Sequence, residues 1–115
     1  MSNAFDDRSC GLVADFFTIF ANPTRMRIFC ALQRGPMTVT EIAAHAGASL
    51  PNISQHLRLM RDKGAVVAQK RGQFVYYAVA DPRFLEAARL TRDALIQNLR
   101  RKTESVRPVR ARRSG

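Results

Sequence analysis

The stretch Thr38–Met60, TVTEIAAHAGASLPNISQHLRLM, constrains the fold of this chain more than any other. It predicts two short helices joined by a tight turn. Thr38 and Glu41 stand at the spacing of a capping box, in which each side chain satisfies an amide left over at the helix start. That helix turns Ile42 and Ala43 inward and stops at Gly47. The second helix starts at Ser49, a favoured N-cap residue, with Pro51 in the first turn, where a missing N–H costs nothing. Ile53, Leu57 and Met60 then recur at i, i+4 and i+7 as one buried stripe. Asn52, Ser54, Gln55, Arg58 and Arg61 fall off that stripe, and these residue types hydrogen-bond base edges and phosphates. The layout is that of a helix-turn-helix nucleic-acid reader.

The flanking segments extend this pattern into a domain. Leu12, Val13, Phe16, Phe17 and Phe20 share one face at helical spacing and predict a first helix near residues 6–20. Asn22 and Pro23 predict the cap and first turn of a second helix running to about Gln33. Lys63 and Gly64 supply a basic last turn and a C′ glycine to the fourth helix. The period then changes: Val66–Lys70 and Gln73–Val79 are β-prone runs separated by Arg71 and Gly72, which predicts a hairpin. Asp81 and Pro82 open a final helix to about Lys102, with Leu85, Ala88, Leu95 and Leu99 at heptad-like spacing. The expected fold class is mainly α with a small β-hairpin, five helices plus a two-stranded wing, a winged helix-turn-helix. Residues 1–5 are expected to be a flexible N-terminus, 6–102 the DNA-binding and dimerisation domain, and 103–115 a basic disordered tail.

Charge agrees with that expectation. Nineteen Lys and Arg against nine Asp and Glu give a net charge of +10, which favours a polyanionic partner. No apolar run approaches the roughly 18 residues of a membrane span, and no signal-peptide pattern opens the chain, so a cytoplasmic protein without membrane contact is expected. An enzyme is not expected either, because the chain shows no glycine-rich phosphate loop, no clustered carboxylates and no nucleophile with an evident base. Phe16, Phe17 and Phe20 on the first helix and Leu95, Ile96 and Leu99 on the last exceed what a small core needs. Either they close a monomer core or they bury against a second copy, which would place two recognition helices about 34 Å apart, one turn of B-DNA.

Several motifs in order resemble the ArsR/SmtB winged-helix repressors: Ala21-Asn22-Pro23-Thr24-Arg25-Met26-Arg27-Ile28, Ser54-Gln55-His56-Leu57-Arg58, Lys63-Gly64-Ala65-Val66, and the hairpin end Val75-Tyr76-Tyr77. The resemblance implies a homodimer that binds an inverted-repeat operator on double-stranded DNA and releases it on an inducer or a thiol reaction. The family's metal sites are not matched. The segment corresponding to its cysteine-rich motif, Thr38–Glu41, has no cysteine, and the last helix supplies no histidine or cysteine. His45 and His56 stand apart, and zinc needs three or four ligands in one place. No metal and no cofactor are expected, and the inducer is not named by the sequence.

A subgroup of the same family senses oxidants or reactive sulfur through a cysteine matching Cys30. Its second cysteine lies in the last helix, where this chain has none; Cys10 on the first helix is the substitute the resemblance offers. Against this, Cys30 sits in the apolar run Ile28–Leu32, where a free cysteine is commonly a buried, inert hydrophobe.

For DNA, the start of a recognition helix enters the major groove. Asn52 and Gln55 suit bidentate contacts to adenine, and Ser54 a base or backbone oxygen. The resemblance supports Ser54 and Gln55 more than Asn52. Arg58 and Arg61, further along, suit phosphates. His56 either holds the helix in place or touches DNA. Lys70, Arg71 and Gln73 at the wing suit the neighbouring minor groove or its backbone. The rival is a winged helix of low sequence specificity, binding nucleic acid generally or docking a protein.

Overall fold

A side-chain oxygen opens each of the five α-helices in the computed structural model, which describes residues 5–104. The helices are α1 (Asp7–Phe17), α2 (Pro23–Ala31), α3 (Val39–Ala46), α4 (Leu50–Asp62) and α5 (Pro82–Glu104). Asp6 accepts from the Ser9 amide at 2.8 Å, Asn22 from Arg25 at 3.0 Å, Ser49 from Asn52 at 3.3 Å and Asp81 from Arg83 at 2.8 Å. At α3 the capping box is complete. The Glu41 amide donates to Thr38 Oγ1 at 3.3 Å and the Thr38 amide to Glu41 Oε1 at 2.9 Å.

Where the sequence predicts single helices over 6–20 and 23–33, each tightens into a 3-10 turn over its last residues, Thr18–Phe20 and Leu32–Arg34. The end of α4 is a Schellman motif. Gly64, with φ of +83°, passes the chain so that the Ala65 amide reaches the Met60 carbonyl at 2.8 Å and its own amide reaches Arg61 at 3.0 Å. This turn aims the chain from the recognition helix directly into the wing.

Strands β1 (Val66–Arg71) and β2 (Phe74–Val79) pair antiparallel, with Val66 opposite Val79 and Arg71 opposite Phe74. The turn is therefore Gly72-Gln73 rather than the expected Arg71-Gly72. Only Gly72 of that pair takes a positive φ (+63°), as a II′ turn requires of its first central residue. The sequence pattern did not indicate a third element in this sheet: the backbone of Met37, just before α3, bridges Tyr77.

The chain divides into two units between Leu85 and Glu86. In the first, α2 packs on α3, α3 on α4, and α4 on both α2 and β1. Ile19, Ile28, Phe29, Ile42, Ile53, Leu57 and Met60 are fully buried there, each worth about 1.5–3 kcal/mol of transfer free energy. An aromatic ladder runs along one side. Phe20 meets Phe29 edge-on at 5.0 Å and Phe16 at 5.5 Å, and Phe16 lies 4.5 Å from Phe84. The second unit is the remainder of α5, on which no residue is buried. This helix continues through Thr103 and Glu104, residues expected to begin the disordered tail. The rest of that expected tail, and residues 1–4 of the expected N-terminus, lie outside the described residues.

Candidate nucleic-acid interface

The polar residues of α4 are kept off its buried stripe as the 3.6-residue period demands, although Leu50 and Leu59 are also exposed. Ile53, Leu57 and Met60 have no exposed surface, whereas Asn52, Ser54, Gln55, Arg58 and Arg61 are all exposed. The left-handed Gly47 ends α3 and the N-cap at Ser49 starts α4 two residues later. Asn52, Ser54 and Gln55 thus lie in its first two turns, with the two arginines behind them.

His56 differs from its neighbours. It is half-buried, and its Nδ1 lies 3.3 Å from Nη1 of Arg25 on α2. Burial, and secondly the Arg25 charge, push the imidazole below the usual histidine range. The ring already has a protein partner. Arg25 itself was not singled out as a site residue from the sequence, although it lies within the motif that carries the family resemblance.

On the wing, strand alternation sends neighbouring residues to opposite faces. Arg71 shares a face with Gln69, Phe74 and Tyr76, and Lys70 shares the other with Val75 and Tyr77. The expected cluster of Lys70, Arg71 and Gln73 thus straddles the hairpin: two cations on two faces, with Gln73 in the turn. All three are exposed. The Arg71 guanidinium lies 5.3 Å from the centre of the Tyr76 ring and 3.5 Å from Gln69 Oε1, which orients it along the strand. Phe74, opposite it, is 53% exposed.

Among the described residues, Arg58, Arg61, Lys70 and Arg71 enter no ion pair, whereas Lys63, Arg83, Arg89 and Arg92 each have a carboxylate partner. Arg8, Arg27 and Arg34 are likewise without a carboxylate partner among the described residues, so lack of pairing is not confined to α4 and the wing; there it leaves positive charge free to meet a polyphosphate backbone.

The expected interface residues divide. Phe16 and Phe20 are half-buried in the aromatic ladder within the single chain, while Leu12 and Phe17 are 72% and 62% exposed. On α5, Leu95, Ile96 and Leu99 are 58%, 43% and 64% exposed. Cys30 and Cys10 are both exposed free thiols, which corrects the expectation that the apolar run around Cys30 buries it. Helical rotation is the reason: Ile28, Phe29, Ala31 and Leu32 fill the inward face of this stretch, and Cys30 falls between them on the outer side. Among the described residues, no three His, Cys, Asp or Glu side chains gather to hold a metal ion, and no helix is long and apolar enough to cross a membrane.

A recognition helix held by a tight turn and followed at once by a basic hairpin defines a winged helix-turn-helix protein. The model of a family described as bacterial regulatory protein, arsR family, matches residues 22–66. The transcriptional repressor SdpR of Bacillus subtilis is 36% identical over 63 residues, 55% of this chain and 70% of SdpR. The "Probable mercury resistance operon repressor" of Streptomyces lividans is 39% identical over 79 residues, 69% of this chain and 63% of that protein. Among solved structures, Rv0081 of Mycobacterium tuberculosis superposes with a TM-score of 0.77 at 29% identity, over 85% of this chain and 99% of that one. A homodimeric winged helix-turn-helix DNA-binding domain from Mycobacterium bovis superposes with a TM-score of 0.62 at 27% identity, over 96% and 100%. The chain belongs to the arsR family of bacterial regulatory proteins.

Proposed function

We propose that this chain is a transcriptional repressor that binds an inverted-repeat operator on double-stranded DNA as a homodimer. The observation that carries the reading is the division of α4 into a fully buried stripe and an exposed edge of Asn52, Ser54, Gln55, Arg58 and Arg61. Placed in the major groove, its first two turns bring Ser54, Gln55 and Asn52 to base edges, and Arg58 and Arg61 to phosphates. Arg71, Lys70 and Gln73 engage the adjacent minor groove and its backbone. Two relatives are named as repressors and a structural neighbour as a homodimeric DNA-binding domain, which supports the assignment.

Two copies associate through the exposed apolar residues of α1 and α5, Phe17 and Leu12 on the one and Leu95, Ile96 and Leu99 on the other. Exposed side chains of this size and number favour association in a chain this small. For the signal, Cys30 is the candidate, since its exposure puts it within reach of a soluble oxidant or persulfide, with Cys10 also exposed. The setting of such a regulator is the cytoplasm.

Footprinting on the DNA upstream of the chain's own gene tests the reading. A protected inverted repeat with reduced protein is the expected result. Its loss on treatment with a mild oxidant, and its retention in Cys30→Ser under the same treatment, is expected of a thiol switch. Protection indifferent to treatment leaves the repressor and removes Cys30 from the account. Uniform protection without a repeat favours a general nucleic-acid binder.

A further inference from the structure

Two polar contacts of different character tie α4 to the N-terminal part of the first unit. At the C-terminal cap of α4, Lys63 Nζ lies 2.8 and 2.9 Å from the two carboxylate oxygens of Asp15 on α1, a solvent-accessible pair. In the middle of α4, His56 meets Arg25. Arg25 is half-buried, and its remaining nitrogens are engaged by backbone: Nε donates to the Ile19 carbonyl at 2.8 Å and Nη2 to the Thr18 carbonyl at 3.4 Å. Those carbonyls belong to the 3-10 turn that follows α1, and neither α1 nor the turn has a basic residue in its last turn. A cation at that helix end is favourable. One planar, permanently charged group thus joins the 3-10 turn, α2 and α4.

The direction of the Arg25–His56 contact follows from chemistry. A guanidinium only donates, so the hydrogen bond requires an unprotonated Nδ1 on His56, and the ring proton then resides on Nε2. The ring's lowered basicity agrees. Each residue of a helix is rotated about 100° from the last, so fixing His56 fixes the directions in which its neighbours on α4 leave the helix.

We propose that Arg25 is a positioning residue for DNA recognition: by linking His56 to the Thr18 and Ile19 carbonyls through its own guanidinium, it sets the rotation at which α4 presents Ser54, Gln55 and Arg58. The inference rests on the DNA-binding function proposed above.

The test uses the full chain with Arg25→Ala, His56→Ala, the double variant, Arg25→Lys and Asp15→Asn. Two quantities are measured: the His56 tautomer by nitrogen-15 NMR, and affinity for operator and random duplexes across a salt series. The wild type should hold its proton on Nε2, and Arg25→Ala should give a mixture of tautomers. Arg25→Ala should weaken operator binding at least about tenfold, the worth of a charge-assisted hydrogen bond. Its salt slope should be unchanged, since Arg25 contacts no phosphate. The double variant should bind no worse than the weaker single, as expected when both substitutions remove one interaction. Arg25→Lys should not rescue, because one ammonium cannot span three acceptors in the same plane. Asp15→Asn breaks only the exposed tie and should change binding by no more than about twofold.

A salt slope lowered by about one per half-site in Arg25→Ala would make Arg25 a phosphate contact and overturn the proposal. So would an unchanged His56 tautomer or fully additive losses. If Arg25→Ala does not fold, His56→Ala decides, because it leaves the Thr18 and Ile19 carbonyls satisfied; full operator affinity in that variant overturns the role. A wild-type chain without operator preference overturns the repressor function and this role together. Operator preference that the variants leave intact overturns this role alone.

Discussion

Met37 and Tyr77 exchange both backbone hydrogen bonds: the Met37 amide donates to the Tyr77 carbonyl at 2.9 Å, and the Tyr77 amide to the Met37 carbonyl at 2.7 Å. This single bridge fastens β2 of the wing to the segment just before the Thr38 cap of α3. The wing is therefore held by this bridge as well as by the chain leaving α4 and the packing of α4 on β1. Met37→Pro removes one donor and leaves the Tyr77 carbonyl unpaired. We expect a loss of about 1 kcal/mol or more in urea unfolding. Faster hydrogen exchange at the Tyr77 amide should accompany it; unchanged exchange there would mean the bridge does not hold the wing.

The capping box of α3 predicts an asymmetric pair of variants. Thr38→Ala should destabilise the chain by about 1 kcal/mol, because the Glu41 amide loses its acceptor. Thr38→Ser keeps the hydroxyl and should restore most of that loss. Chemical denaturation of the three proteins measures it, and equal stability of Thr38→Ala and the wild type would contradict the assignment.

Asp81 supplies a pH dependence with a definite sign. Hydrogen bonds from the Arg83 side chain, and then from its amide, lower the carboxyl from 3.8 to about 2. A depressed folded-state value contributes stability that is fully present above the unfolded value and lost as pH falls through the folded one. The contribution of this cap should therefore fade between pH 3.8 and about 2. Arg83→Ala removes the largest cause, and proton titration by NMR should then move Asp81 upward toward its ordinary value. No movement would mean that the amide alone holds it down.

Gln55 and Arg71 separate base recognition from backbone attraction. Gln55→Ala should weaken operator binding by about 1–3 kcal/mol and relax the choice of base at one position per half-site. Arg71→Ala should weaken all duplexes alike and reduce the salt slope by about one per half-site. Titrations on single-base operator variants at several salt concentrations distinguish the two patterns. An unaltered base preference in Gln55→Ala would remove the exposed edge of α4 from the reading face.

How much of this was legible in the sequence depends on how local each device is. The caps at Asn22, Thr38, Ser49 and Asp81, the C′ glycine at position 64 and the stripe of Ile53, Leu57 and Met60 are short-range patterns, and the structure contains them all. The Met37–Tyr77 bridge was not legible, because a single backbone pair leaves no side-chain pattern. Nor was the role of Arg25, whose acceptors are two backbone carbonyls and a ring 31 positions away. Cys30 misleads because an apolar run suggests burial, while a helix two-thirds surrounded by core still exposes one residue per turn. The face of α1 misleads similarly: Val13, Phe16 and Phe20 turn toward the chain, and Leu12 and Phe17 away from it.

Sequence-specific recognition through α4 is read from the ratio of affinities for the protected repeat and for a scrambled duplex of equal length. At one fixed, near-physiological salt concentration, a repressor should prefer its repeat by roughly 10³-fold or more. Gln55→Ala should shrink that ratio while leaving affinity for the scrambled duplex unchanged. A ratio near one for the wild type would contradict the account and leave the charge of α4 and the wing as a general attraction for nucleic acid.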